Sequence, residues 1–215
     1  MSKPILYGYW RSSCTARVNA ALALKGVEVE YRVADVLTRQ GSGAEELPKI
    51  NPAKKIPVLI HNGNVLTESL AIIEYIDETF PGPSILPKDP VKREHARSIA
   101  LHIASGIQPL QNPNIVKFLN TESEGVGTKF ATFYVLKGIT ELEELLKKTA
   151  GAYAVGDEVS IADLCIPSIV RNAVVMWSID LSFFPILSRI NSKLSLHPAF
   201  IKAAPENQPD APQKC

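Results

Sequence analysis

Two hydroxyls and a thiol cluster at residues 10–14, where Trp-Arg-Ser-Ser-Cys joins a β-leaning run to a run of helix formers. A helix N-terminus offers unbonded amides and a positive dipole end, which stabilise an anion or a bound thiolate. Lowering a thiol pKa by about two units from about 8.5 requires roughly 2.7 kcal/mol. A hydroxyl hydrogen bond to charged sulfur contributes about 1.5–3 kcal/mol, and the helix end roughly 0.3–2 kcal/mol. Ser12 or Ser13 can therefore activate a thiol, although serine here is also an ordinary helix cap.

Cys14 at the same turn is an alternative nucleophile. Arg17 stands where a Cys-x-x-Cys motif would have its second cysteine, so a dithiol oxidoreductase is disfavoured and a monothiol glutathione chemistry stays open. The three cysteines, Cys14, Cys165 and Cys215, cannot form a disulfide framework, and the four histidines show no metal-ligand spacing. We therefore predict no metal site and a reducing compartment.

A second candidate site combines Ile56-Pro57 with Glu68-Ser69. A proline at a strand start exposes backbone groups, and a helix beginning at Ser69 would offer a hydroxyl and an amide to a carboxylate. Together these features suit a peptide-like ligand. Each taken alone is an ordinary strand edge or helix start.

The elements that must position these groups alternate in type over the first eighty or so residues. Their order, β-α-β-(α)-β-β-α, predicts one α/β unit. Asn62-Gly63 carries a hairpin signal between the last two strands. The helix predicted over residues 69–80 is expected to have an apolar face and a charged face. The apolar face carries Leu70, Ile73 and Ile76, and the charged face carries Glu74, Asp77 and Glu78.

Prolines at positions 81, 83, 87 and 90 mark the clearest boundary in the chain, because proline ends the preceding helix and stiffens a connector. We predict one domain over residues 1–82, a linker over 83–90 and an all-helical domain over 91–215. The Pro-rich tail from Pro205 to Cys215 is predicted to be loosely ordered.

Within the helical part, an apolar period and three local features are apparent. Pro109 lies inside a helical pattern and predicts a kink or a helix end. Ser160 and Asp163 have the spacing of a capping box. Glutamates and lysines four residues apart predict ion pairs on one helix. The apolar face of that helix is predicted to comprise Val135, Ile139, Leu142 and Leu146. Its predicted ion pairs are Glu143–Lys147 and Glu144–Lys148.

Composition excludes several classes of protein. The formal net charge is +1, and no basic run exceeds two residues, which argues against a nucleic-acid surface. The longest unbroken apolar stretch is five residues, too short to span a bilayer, and the N-terminal residues lack the apolar core of a signal peptide. We expect a soluble, cytoplasmic protein with no nucleic-acid or membrane partner.

Taken together, these segments resemble the zeta-class glutathione transferases, the maleylacetoacetate isomerases. The resemblance extends from Lys3 to the tail at Asp210. Its most specific parts are the Ser-Ser-Cys motif and the Ile-Gln-Pro-Leu-Gln-Asn segment at residues 107–112. The Glu-Ser pair and the capping box are shared by many glutathione transferases.

The resemblance implies a thioredoxin-like α/β domain followed by an all-α domain, a homodimer and a cis peptide bond before Pro57. It also implies that Ser13 activates the glutathione sulfur, with Ser12 and Cys14 beside it. The implied reaction is the glutathione-dependent conversion of maleylacetoacetate to fumarylacetoacetate in tyrosine and phenylalanine breakdown. The implied glutathione-binding residues are Ser12, Ser13, Cys14, Arg17, Ile56, Glu68, Ser69, Gln108, Asn112 and Asn114.

The sequence departs from the family pattern at two places. The usual Ser-Trp-Arg-Val-Arg stretch is Thr-Ala-Arg-Val-Asn at residues 15–19, and apolar residues 174–177 stand where the family tends to place an arginine. Two alternatives therefore stay open. One is a transferase for apolar electrophiles or α-halo acids, and the other is a non-catalytic glutathione-fold binding protein.

Overall fold

The computed structural model describes residues 2–212 and divides into two compact units. The first unit runs to Ile85 and takes up the chain again from Leu196, while the second is Leu86–Ser195. The sequence assigned everything from residue 91 onward to the helical domain, whereas the structure places the chain from Leu196 with the first unit. The helix after Leu196 spans only Pro198–Ala203, so its short apolar period could not indicate which unit it packs against.

A four-stranded mixed sheet forms the centre of the first unit. In the strand order β2-β1-β3-β4, β1 is parallel to β2 and antiparallel to β3, and β3 is antiparallel to β4. Asn62 and Gly63 both have positive φ, 50° and 77°, as the predicted hairpin requires. The strands are β1 (Ile5–Gly8), β2 (Glu30–Val33), β3 (Val58–His61) and β4 (Asn64–Leu66).

Helices cover the sheet, and their order confirms the predicted α/β unit. Successive residues of β1, Leu6 and Tyr7, are both buried, as expected for a sheet with two covered faces. The helix α1 packs against both α3 and α9. The α-helices of this unit are α1 (Ser13–Leu24), α2 (Leu47–Ile50), α3 (Ser69–Thr79) and α9 (Pro198–Ala203).

The predicted charged face of α3 is wrong at one residue, Asp77. Its side chain is 8% exposed and pairs at 2.7 Å with the ammonium of Lys25, which is 2% exposed. Asp77 also accepts the backbone amide of Ile85 at 2.8 Å. A carboxylate is stable here because a cation and an amide compensate for the lost water. Helical period alone does not reveal such a partner.

The chain after α9, where the sequence predicts a loose tail from Pro205, folds back on that helix. Residues Pro205–Asn207 form a 3-10 turn. Gln208 then donates to the carbonyls of Lys202 and Ala204 at 2.9 and 3.0 Å, which closes the segment on the end of α9. Cys215, assigned to the same tail, lies outside the described residues.

Helices make up the second unit. At Pro109, where the sequence predicts a kink, the chain leaves α4 through a π-helical turn, His102–Ile107, and a 3-10 turn, Gln108–Gln111. In the part of the chain that the structure describes, no helix is long and apolar enough to cross a membrane. The helices are α4 (Pro90–Leu101), α5 (Pro113–Glu122), α6 (Val126–Thr149), α7 (Ile161–Trp177) and α8 (Pro185–Ser195), with a further 3-10 turn at Leu181–Phe183.

The long helix α6 buries the predicted apolar face, but its predicted ion pairs are wrong. Glu143 is 4% exposed and accepts the amides of Ile186 and Leu187, each at 2.9 Å. It therefore caps the start of α8 instead of meeting Lys147. Lys147 pairs with Glu144, three residues away. The buried face comprises Val135, Ile139, Leu142 and Leu146.

Candidate active site

The first turn of α1 separates the roles of its two serines. Ser12 is the N-cap residue, and its Oγ accepts the backbone amide of Thr15 at 3.2 Å. Ser13 is the first residue of the helix, half-buried, with the half-buried Cys14 next to it. No acidic residue lies in this turn, so the positive end of the helix has no carboxylate of its own. Ser12 thus performs the capping, and Ser13 stands at an anion-favouring helix end.

Arg17 and Ser69 bring the starts of α1 and α3 together. Arg17 is 1% exposed, and its Nη1 donates to Ser69 Oγ at 3.4 Å. Ser69 is itself buried and is the first residue of α3. A buried guanidinium beside a helix N-terminus concentrates positive charge, which suits a carboxylate ligand.

Glu68, immediately before α3, has a strained backbone. It is not a glycine, yet its φ is 64° and its ψ is 112°, and its side chain makes no capping bond. Such a conformation costs on the order of 1–3 kcal/mol and occurs preferentially at ligand-binding positions. Its side chain is exposed. This observation, which sequence could not supply, supports a binding role for the residue.

The peptide bond between Ile56 and Pro57 is cis, as the resemblance implied. Asn51 determines the path of the loop leading to it. Its side chain is buried, donates to the carbonyl of Lys55 at 2.8 Å and accepts the amide of Ala53 at 3.0 Å. The backbone at Ile56 therefore enters β3 from a loop that is closed by internal hydrogen bonds.

The remaining predicted site residues belong to the second unit. Gln108 is half-buried and begins the 3-10 turn. Asn112 is exposed and caps α5 by accepting the amide of Asn114, also exposed, at 2.9 Å. The structure thus gives Asn112 a local structural role, and contacts of these three residues with glutathione stay a prediction.

Comparison with known proteins identifies the family. A family model described as "Glutathione S-transferase, N-terminal domain" matches residues 6–84. The "Probable maleylacetoacetate isomerase" of Caenorhabditis elegans is 52% identical over 97% of this chain and 96% of that protein. The chain belongs to the zeta-class glutathione S-transferases.

Other relatives of this glutathione transferase extend the similarity to mammals and to solved structures. The "Maleylacetoacetate isomerase" of Mus musculus is 44% identical over 98% of this chain and 96% of that protein. The crystal structure of maleylacetoacetate isomerase from Anaeromyxobacter dehalogenans with bound GSH in its active site superposes with a TM-score of 0.88. It is 34% identical and covers 98% of both chains.

One tyrosine that could compete with Ser13 for thiol activation in this transferase is already engaged. Tyr7 is 1% exposed, its hydroxyl donates to the Glu46 carboxylate, and Arg32 Nη1 donates to the hydroxyl at 2.8 Å. Burial, followed by the bond to Glu46, raises the pKa of Tyr7. The bonds from Tyr7 and Arg32 lower the pKa of Glu46. This network occupies the phenol of Tyr7, and thiol activation by the serine turn stays a prediction.

Sequence reasoning missed Gln111 in the second unit. Gln111 is 7% exposed, and its Oε1 accepts the indole N–H of Trp177 at 2.8 Å. The bond joins the C-terminal end of α7 to the 3-10 turn that carries Gln108. A tryptophan at a helix end was a usable signal, because a half-buried indole N–H generally has an acceptor.

Proposed function

We propose that this protein is a glutathione-dependent maleylacetoacetate isomerase that also has general glutathione transferase activity. It would convert maleylacetoacetate to fumarylacetoacetate in tyrosine and phenylalanine breakdown. The observation that carries the proposal is the serine turn, in which Ser12 caps α1 and Ser13 stands at the uncompensated helix end. Relatives named maleylacetoacetate isomerase over nearly the whole chain support the same reaction.

The first unit fits glutathione, a tripeptide with carboxylates at both ends. Arg17 and Ser69 form a buried cationic corner, Glu68 has a strained backbone that presents an exposed carboxylate, and the cis bond lies at Ile56. We assign Ser69 and Arg17 to a carboxylate, Glu68 to the α-amino group and the Ile56 backbone to the peptide. Glutathione supplies a thiolate that adds to the substrate double bond, permits rotation and leaves unconsumed.

Ser13 provides the hydrogen bond that distinguishes thiolate from thiol. A hydrogen bond to a charged acceptor contributes about 1.5–3 kcal/mol, and the helix end roughly 0.3–2 kcal/mol. Their sum reaches the approximately 2.7 kcal/mol that lowers a thiol pKa by about two units. Ser12 and Cys14 shape the same turn. Gln108, Asn112 and Asn114 are proposed to contact glutathione or the substrate from the second unit.

A second candidate function, transfer of glutathione to apolar electrophiles, has its own supporting observation. The C-terminal end of α7 exposes three consecutive apolar side chains: Val174 at 43%, Val175 at 66% and Met176 at 46%. A substrate with two carboxylates would gain no charged hydrogen bond from these residues. An apolar acceptor would gain buried area there.

We also propose a cytoplasmic homodimer whose ligands are glutathione and a small electrophile, with no nucleic-acid or membrane partner. Family membership supports the dimer and the location. Exposed aromatic side chains in the second unit, Phe118 at 63% and Phe133 at 61%, are suited to a protein interface. Among the described residues, Cys14 and Cys165 are thiols outside any disulfide, as a reducing compartment would maintain them.

The decisive experiment assays the purified protein with maleylacetone and with chloronitrobenzene, each with and without glutathione. We expect glutathione-dependent isomerisation of maleylacetone to have the higher kcat/KM. Transfer to chloronitrobenzene without isomerisation would favour the second candidate function. Glutathione binding with neither activity would overturn both and favour the non-catalytic binding protein.

A further inference from the structure

The C-terminal segment reaches the serine turn from the far end of the sequence. The carboxylate of Asp210 accepts the backbone amide of Trp10 at 3.0 Å through Oδ2. Both residues belong to the first unit. The bond therefore joins the last described residues to the loop between β1 and α1, which ends at the N-cap Ser12.

The turn that contains Trp10 leaves the backbone amide of this residue available to a partner. The backbone amide of Ser12 donates to the carbonyl of Tyr9 at 2.9 Å, which closes a four-residue turn with Trp10 and Arg11 at its centre. In such a turn the first central amide takes no part in the closing bond. Asp210 accepts it, so the turn is fixed both by its own hydrogen bond and by the tail.

A second bond fixes the tail on α1. Gln208 Oε1 accepts the side-chain amide of Asn19 at 2.7 Å, while Gln208 Nε2 is held by the carbonyls of Lys202 and Ala204. Asn19 lies in α1, the helix that Ser13 begins. The tail thus contacts α1 at Asn19 and the preceding turn at Trp10.

The corner around Asp210 is closely packed. A Cβ added at Gly8, the last residue of β1, would lie 2.9 Å from the hydroxyl of Tyr31, so only glycine allows this approach. Burial and the neighbouring carboxylate of Asp210 raise the pKa of the Tyr31 phenol, which stays protonated. The second oxygen of Asp210, Oδ1, is also buried. A carboxylate in such a corner has little freedom to move away from the Trp10 amide.

We propose that Asp210 is a positioning residue for thiol activation: by holding the Trp10 amide, it fixes the turn that places Ser13 at the start of α1. The inference rests on the proposed function, because its consequence is the ionisation of glutathione. Misplacement of a catalytic group by about 1 Å can cost on the order of a hundredfold in rate. A loosened turn displaces the Ser13 hydroxyl without removing any group that touches glutathione.

The test compares Asp210→Ala and Asp210→Asn with Glu206→Ala, a charge-removing control at an exposed position in the same tail. Three quantities are measured: hydrogen exchange of the Trp10 amide without glutathione, the thiol pKa of bound glutathione from thiolate absorbance, and kcat with KM. For Asp210→Ala we expect exchange to accelerate, the thiol pKa to rise and kcat to fall about tenfold, with KM for glutathione within about threefold. Asp210→Asn retains an acceptor oxygen and should restore most of the activity, and Glu206→Ala should match the wild type.

The proposal is overturned if Asp210→Ala keeps the wild-type thiol pKa and kcat while only its thermal stability falls. Equal losses in Glu206→Ala would also overturn it, since the effect would then be one of tail charge. If Asp210→Ala does not fold, Asn19→Ala is used instead, because it removes the contact between Asn19 and Gln208. It should shift the exchange rate of the Trp10 amide and the thiol pKa in the same direction. The absence of any shift would overturn the proposal. Failure of the proposed function is distinguishable, because then the wild type itself does not ionise bound glutathione.

Discussion

Among the described residues, two α-helices, α1 and α7, have a serine as N-cap residue, and their first turns are satisfied in different ways. At α1, Ser12 caps the helix and Thr15 stands three residues later, so the turn contains no carboxylate. At α7, Ser160 is followed three residues later by Asp163, which is fully buried. The Asp163 carboxylate accepts the amides of Ser160 and Ala154 at 2.9 and 2.8 Å.

The residue at the third helical position determines the difference. An acid at that position satisfies the helix end from within the protein, as the capping box at α7 does. Threonine at the same position of α1 supplies no carboxylate to the first turn of that helix. The α7 start therefore has a structural role, and the proposed role of the α1 start is to bind a ligand. The two sites should respond to mutation in different measurements, stability at α7 and catalysis at α1.

The largest expected effect is the loss of stability in Asp163→Ala. Two buried backbone amides lose their acceptor, at about 1–3 kcal/mol each, so we expect the free energy of unfolding to fall by about 3–5 kcal/mol. Denaturant unfolding measures the change, and Glu158→Ala, an exposed acid just before the cap, is the control. If the free energy of unfolding of Asp163→Ala falls by less than about 1 kcal/mol, water replaces the carboxylate as acceptor, and the start of α7 is accessible to solvent.

The next effect is a pH dependence of stability from the same carboxyl. Burial raises the pKa of Asp163 from 3.8 to about 6, against the opposing hydrogen bonds. Between these values the folded state binds the proton more tightly than the unfolded chain. The contribution of Asp163 to the free energy of unfolding therefore falls by about 3 kcal/mol as the pH rises from about 4 to about 6. Above that range the contribution is constant.

The pH measurement compares the wild type with Asp163→Asn, which does not titrate. Carboxyls with lowered pKa values, such as Asp35 and Glu46, contribute the opposite slope equally to both proteins and cancel in the difference. We expect the difference curve to bend between about pH 4 and 6. Parallel curves across that range would show that Asp163 is ionised at its ordinary pKa.

At α1 the expected effect is catalytic. Ser13→Ala removes the proposed hydrogen bond to the glutathione sulfur, which is stronger to thiolate than to thiol, so we expect turnover to fall about tenfold or more while glutathione affinity changes little. Ser12→Ala is the matched control and should lose about 1 kcal/mol of stability with the loss of the cap, and less turnover than Ser13→Ala. If Ser13→Ala retains more than about a third of wild-type turnover, another group activates the thiol.

The extent to which these two sites could be predicted differs for a physical reason. The capping box, the hairpin at Asn62-Gly63 and the order of elements follow from local spacing and are confirmed. The partners of Asp77 and Glu143 come from distant parts of the chain, so local spacing could not identify them. The reach of the tail to Trp10 spans two hundred residues and carries no local signal.

The serine turn itself was an intermediate case. Its residue types predicted an anion-favouring helix end, and the structure determines which serine caps the helix. Which serine that is depends on where the preceding turn ends, and the turn is fixed by Tyr9 and by Asp210 from the tail. The strained backbone of Glu68 likewise depends on the junction of β4 and α3, which composition does not reveal.

The smallest expected effect concerns Cys14 and Cys165, the two of the three cysteines that lie among the described residues, and it extends the comparison of α1 with α7. Cys14 lies half-buried in the first turn of α1, whereas Cys165 lies in α7 and is fully buried. If the sulfur of glutathione is the nucleophile, Cys14 only shapes the pocket, and Cys14→Ala should change kcat by less than about threefold. A thiol reagent should nevertheless modify Cys14 far faster than Cys165, because access governs the rate.

Labelling with a thiol reagent followed by peptide mapping measures the modification rates of Cys14 and Cys165. The kinetics of Cys14→Ala measure the contribution of this side chain to turnover. Modification of Cys14 should inactivate the wild type by filling the turn, while glutathione protects the thiol and Cys14→Ala resists inactivation. Complete loss of isomerisation in Cys14→Ala, or a mixed disulfide required in each turnover, would transfer the nucleophile from glutathione to the protein. The open helix start would then serve Cys14 itself, because the dipole and the Ser13 hydroxyl would stabilise a protein thiolate in place of a bound one.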